Sequence, residues 1–92
     1  MKKVIKRDGR IQPFDIGKIR LTLERVSDEH REPFTSSDMD MIMKDIGREI
    51  DKYSGDTIHA SEIYDIVLRT LKENGFLRIA QYYEGYQKRF EG

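Results

Sequence analysis

The sequence predicts a mostly helical α+β domain, with an N-terminal β-hairpin capping a four-helix body. Three observations carry that prediction. Apolar and basic residues flank Asp8-Gly9 at the start of the chain, four stretches with apolar residues three and four apart follow, and turn or cap residues punctuate them. At 92 residues the chain has room for one domain, spanning its whole length. A domain of that size buries about 60–65% of its unfolded surface, which argues against a large internal active site.

The hairpin is read over about residues 3–14. Val4-Ile5-Lys6-Arg7 and Arg10-Ile11-Gln12 flank Asp8-Gly9, a pair that predicts a two-residue type I′ turn. Pro13 ends the second strand, because it has no N–H to donate. Asp15 is a suitable N-cap for a first helix over about 16–27, with Ile16, Ile19, Leu23 and Val26 on one face. No glycine follows to stop that helix, and Asp28 to Pro33 reads as a polar link. Thr35, Ser36 or Ser37 can cap a second helix over about 36–52, whose stripe is Met39, Ile42, Met43, Ile46 and Ile50. Ser54-Gly55-Asp56 is a loop, with room for an extended piece at Thr57-Ile58. A third helix over about 60–74 carries Ile63, Ile66, Val67 and Leu71, and Asn74-Gly75 stops it as a left-handed cap. A fourth, over about 77–90, places Ile79, Ala80, Tyr83, Tyr86 and Phe90 on one side.

Composition narrows the chemistry. The absence of cysteine excludes disulfides, thiolate zinc sites and cysteine nucleophiles. Charges follow Met1-Lys2-Lys3-Val4, so no signal peptide is expected, and no run approaches the roughly 20 apolar residues that span a bilayer. The expected location is the cytoplasm, with no membrane partner. Net charge is zero, yet the first ten residues hold Lys2, Lys3, Lys6, Arg7 and Arg10 against Asp8 alone. A neutral chain with a basic end suggests a local anion site rather than a nucleic-acid face, so nucleic acid is not expected as a partner.

A two-stranded hairpin needs a body to lie on. Lying there with Lys and Arg at its edge, it would form a cleft suited to phosphate, since these groups make charge-assisted hydrogen bonds where water is partly excluded. On spacing alone Lys6 and Arg7 read equally well as solvated strand residues, and Lys18 as an ordinary surface lysine. Lys88 and Arg89 likewise suit the C-terminal dipole of the fourth helix. Neither Gly-x-x-x-x-Gly-Lys-Ser/Thr nor Gly-x-Gly-x-x-Gly occurs, so a bound nucleotide would be held without those loops. His30 and His59 have no evident nucleophile beside them, and catalysis is not expected. Of the tyrosines at 53, 64, 82, 83 and 86, most suit the core, and one or two could stack on a purine.

The run VIKRDGRIQPFDIGKI, at Val4 to Ile19, resembles the opening of the ATP-cone, the regulatory nucleotide-binding domain of ribonucleotide reductases and of the repressor of their genes. HASEIYDIVLRTL and the closing aromatic-basic helix extend the resemblance over nearly the whole chain. It implies a hairpin over four helices and a non-catalytic allosteric sensor of ATP or dATP, with Mg2+ able to accompany the triphosphate. It implies that Lys6, Arg7 and Lys18 contact the triphosphate, and that Val4 and Ile19 line the pocket with Ile5 in the same nucleotide-binding set. Gln12, Phe14 and Asp15 would meet the base, with Asp15 accepting from the adenine amino group. Gly9 would permit the tight turn, Ala60, Ser61 and Tyr64 would approach sugar and base, and Lys88 or Arg89 would add a late cation. The implied partners are the nucleotide effector and either a second copy or a reductase or regulator polypeptide. Gln12 stands where some relatives have an acidic residue and Tyr64 where some have histidine, which leaves ATP and dATP both open. Neither a catalytic barrel nor a cysteine zinc ribbon is present, so the chain reads as a free-standing cone or an excised domain. The alternative from the residues is a small DNA-binding or protein-interaction module using the basic hairpin.

Overall fold

The computed structural model describes residues 2–91, with side chains through Gln87. Among the described residues the elements run β1 (Lys3–Ile5), β2 (Ile11–Pro13), α1 (Ile16–Glu29), α2 (Ser36–Asp51), β3 (Thr57–His59), α3 (Ala60–Glu73) and α4 (Leu77–Glu91). The α+β, mostly helical class is the one read from the sequence, but the sheet has three strands in the order β2-β1-β3. β1 pairs antiparallel with β2, Val4 opposite Gln12, and parallel with β3, Val4 opposite Ile58. The extended piece at Thr57-Ile58 is therefore a true strand, and it places the hairpin at the start of α3. Ile58 and Val4 point into the body at 1% and 8% exposure, which ties the small sheet to the helices.

The hairpin tip differs from the two-residue type I′ turn expected. Lys6 N–H donates to the Arg10 carbonyl (2.8 Å) and Gly9 N–H to the Lys6 carbonyl (2.9 Å), so Arg7, Asp8 and Gly9 form a three-residue loop. A type I′ turn needs positive φ at both central residues, and here only Gly9 has it, at 89°. Asp8 keeps an ordinary backbone because its carboxylate is already used. It accepts from Arg10 N–H at 3.1 Å and Arg10 Nε at 2.7 Å. These bonds, the backbone one first, hold the Asp8 carboxyl below the usual carboxylate range.

Both cap motifs needed to turn the chain are local. At the end of α3, Gly75 takes φ 85°, its N–H reaches the Lys72 carbonyl (3.1 Å), and Phe76 N–H reaches that of Leu71 (2.9 Å). This is the double bond of a Schellman cap. α1 ends in the same way without glycine: Arg31 adopts φ 58°, Arg31 N–H donates to Asp28 and Glu32 N–H to Ser27. The left-handed cost of about 1–2 kcal/mol for a residue with a side chain is met there by closing two helix-end carbonyls. The polar link that follows lies on α4, with the His30 ring 3.6 Å from Tyr82, Glu32 paired with Arg78, and Phe34 edge-on to Phe76. The core between the helices is Leu23 and Val26 of α1, the α2 stripe, Ile66, Val67 and Leu71 of α3, and Ile79, Ala80 and Tyr83 of α4. Ile16 departs from the apolar face read for α1, being 37% exposed at the helix entrance.

Candidate functional site

The sheet edge and the first helical turn open one cleft, of about 260 Å³. Asp15 begins it. Its backbone is extended and its Oδ1 accepts from Gly17 N–H at 2.9 Å, so it caps α1. Helical spacing then carries Lys18, Ile19 and Thr22 along the cleft wall, and the Thr22 hydroxyl donates to the Lys18 carbonyl at 2.9 Å. From the hairpin and the residue after it come Val4, Lys6, Gln12, Pro13 and Phe14. Val4 of β1 and Lys6 just past its end both line the cleft. α3 supplies Ala60, Ile63 and Tyr64, and α4 supplies Tyr83 and Gln87. The Tyr64 and Tyr83 rings lie 5.5 Å apart between centroids and 20° from parallel, giving the cleft an aromatic floor.

A second lobe of about 240 Å³ adjoins at Lys6 and Ala60, and is completed by Ile5, Arg7, Gly9, His59 and Ser61. It lies beside the hairpin tip and the first turn of α3. The side chain of Arg7 and Gly9 at the tip are exposed, while Lys6 is half-buried. No carboxylate lies within ion-pairing distance of Lys6, Arg7 or Lys18 among the described residues. The nearby Arg10 and Lys2 differ: Arg10 pairs with Asp8, and Lys2 Nζ donates to the carbonyls of Tyr53 (2.8 Å) and Gly55 (3.0 Å). Among the described residues, three cations from the hairpin and α1 thus have no carboxylate partner, and apolar and aromatic surface lies beside them.

The site residues expected from the sequence divide between these lobes. Val4, Lys6, Gln12, Phe14, Asp15, Lys18, Ile19, Ala60 and Tyr64 share the main cleft, and Ile5, Arg7, Gly9 and Ser61 belong to the lobe at the tip. The side chains of Lys88 and Arg89, and of Phe90 beside them, lie outside those described. The sequence reading did not name Pro13, Thr22, Ile63, Gln87 or His59 as site residues, and it left Tyr83 to the core. A signal for some was present: Thr22 follows Lys18 by one helical turn, and Gln87 follows Tyr83 by the same interval. Among the described residues no three His, Asp or Glu side chains gather to hold a metal, and no helix is long and apolar enough to cross a membrane.

The cleft belongs to a region with recognisable relatives. The chain is 35% identical over 86 residues to a transcriptional repressor NrdR of Thermomicrobium roseum, covering 90% of this chain and 52% of that protein. It is 29% identical over 87 residues to a transcriptional repressor NrdR of Syntrophus aciditrophicus, covering 91% and 54%. The chain thus spans about half the length of the curated relatives it matches. With repressors of transcription as relatives, the expectation that nucleic acid is no partner has no support. The family model described as the ATP cone domain matches residues 2–89, which hold both lobes of the cleft, and the chain belongs to that family.

Proposed function

We propose that this domain is a non-catalytic sensor that binds ATP or dATP in the cleft between the sheet, α1, α3 and α4. One observation carries the reading. Lys6 and Lys18, from separate elements, meet in a single cleft with an aromatic floor and lack a carboxylate partner among the described residues. In this reading Lys6, Lys18 and Arg7 hold the triphosphate, Arg7 from the adjoining lobe. The base lies toward Phe14, Asp15 and Tyr64. A Mg2+ ion would ride on the phosphates and water, since no protein cluster offers it ligands among the described residues.

The sensor would act in the cytoplasm by differential binding. A nucleotide shifts the domain toward one arrangement only by the difference in its affinity for the two. Couplings of this kind are typically about 1–3 kcal/mol. The receiver would be a second copy or a regulator polypeptide, and the kinship with transcriptional repressors fits a role in the expression of ribonucleotide reductase genes. That kinship also favours one second reading, in which the basic hairpin serves a DNA-bound assembly. Strongly salt-dependent duplex binding in the absence of nucleotide would identify it.

Calorimetric titration with ATP and dATP tests the main reading and returns stoichiometry. In K6A/R7A two charged hydrogen-bond donors are lost, each worth about 1.5–3 kcal/mol. Affinity should fall by about a hundredfold or more while the helical circular dichroism is retained. Equal affinity in the double variant would refute the assignment.

A further inference from the structure

We infer that His59 is a further phosphate-binding residue of this site, so that a bound polyphosphate draws a proton onto its imidazole. The inference rests on the nucleotide reading above. His59 is the last residue of β3, level with Ile5 in the parallel register, and its exposed side chain lines the lobe at the hairpin tip. That lobe holds Lys6, Arg7 and Ser61 as donors, and His59 is the one aromatic ring in its lining. It therefore suits phosphate oxygens rather than a base. Lys6 is common to both lobes, so a chain of phosphates leaving the main cleft along Lys6 passes His59.

The charges facing the imidazole come from two directions. Lys6 and Arg7 of the hairpin share the lobe with it, and Glu62 of α3 closes a capping box with His59, its carboxylate accepting from the His59 backbone N–H at 3.1 Å and the His59 side chain facing the Glu62 backbone N–H. A polyphosphate entering the lobe offsets the two cations and adds acceptors, which stabilises the imidazolium. By linkage, binding then takes up protons, and affinity rises as pH falls through the range where histidine titrates. ATP loses charge in the same range, so the quantity of interest is the difference between wild type and H59Q, which meet the same ligand.

Calorimetry near pH 7 in buffers of different ionisation enthalpy should show greater proton uptake on ATP binding by wild type than by H59Q. Between pH 8 and pH 6 the ratio of wild-type to H59Q affinity should rise by about three- to tenfold, and H59K should bind tightly with no such rise. Histidine ring resonances followed by NMR in the wild-type protein keep the test independent of how H59Q folds. His30, which stacks on Tyr82 and lines neither lobe, is assigned by H30Q and serves as the internal reference. ATP and inorganic tripolyphosphate should each raise the His59 midpoint, whereas adenosine should not. Nucleotide binding with no movement of the His59 midpoint and equal proton uptake in H59Q would overturn this inference alone. A wild-type protein that binds neither ATP nor dATP would overturn the proposed function with it.

Discussion

Replacing Asp15 tests the fold and the proposed site in a single residue, because one carboxylate oxygen caps α1 and the carboxylate is also proposed to meet the base. Oδ1 caps α1 through Gly17 N–H at 2.9 Å in an exposed setting. Removing such a cap costs about 1 kcal/mol, within a usual range of about 0.5–2. For a domain of this length that lowers the melting temperature by about 4–8 °C per kcal/mol. Asparagine caps about as well as aspartate, so D15N should melt within a degree or two of wild type. The proposed contact with the adenine amino group responds differently. D15A removes the acceptor, and D15N can place an amide donor against another donor. Loss of a hydrogen bond to a charged acceptor is worth about 1.5–3 kcal/mol, so both variants should bind ATP about 10- to 150-fold more weakly. The assay pairs thermal unfolding by circular dichroism with ATP titration of D15A and D15N. D15N with wild-type stability and wild-type affinity would refute the base contact. D15A with unchanged stability would refute the cap.

Other perturbations address the core and the hairpin tip. Ile46 is fully buried in the middle of the α2 stripe, and I46A should cost about 2–5 kcal/mol by urea unfolding, a large part of the stability of a domain this small. The Asp8 carboxyl, held low chiefly by Arg10 N–H and then by the Arg10 side chain, contributes to the tip above the unfolded carboxylate range. That contribution disappears as pH falls through the lowered value. Backbone resonances of Gly9 and Arg10 should therefore change on acidification below about pH 4, and in D8N the acid-dependent change should be absent.

Much of the fold was legible because the helices obey short-range rules. Stripes such as Met39, Ile42, Met43, Ile46 and Ile50 show period and buried face together, and the Asp15 and Gly75 caps act within a few residues of themselves. Where a local rule has a competitor, reading failed. Asp8-Gly9 suits a type I′ turn, but the Asp8 side chain bonds to Arg10 and keeps Asp8 out of the left-handed region. α1 ends on Arg31 with positive φ, a conformation for which arginine carries no local signal. As for the site, the basic and apolar residues near the N-terminus could be listed from the chain, with their partners in the first turn of α3 supplied by resemblance. His59 could not be singled out from His30, the other exposed histidine.

What the sequence by itself determined is the set of parts: a hairpin, four amphipathic helices, their caps and the excess of cations over acids in the first ten residues. Their meeting was decided by tertiary structure. The parallel pairing of β1 with β3 joins residues more than fifty positions apart, and no local spacing encodes such a contact. That pairing sets Ile5 beside His59 and brings α3 beneath the hairpin, so that Lys6, Lys18 and Tyr64 face one cleft. The physical reason is burial. Val4 and Ile58 leave water together only when the strands pair over the helical core, and the cleft is the space left beside that contact.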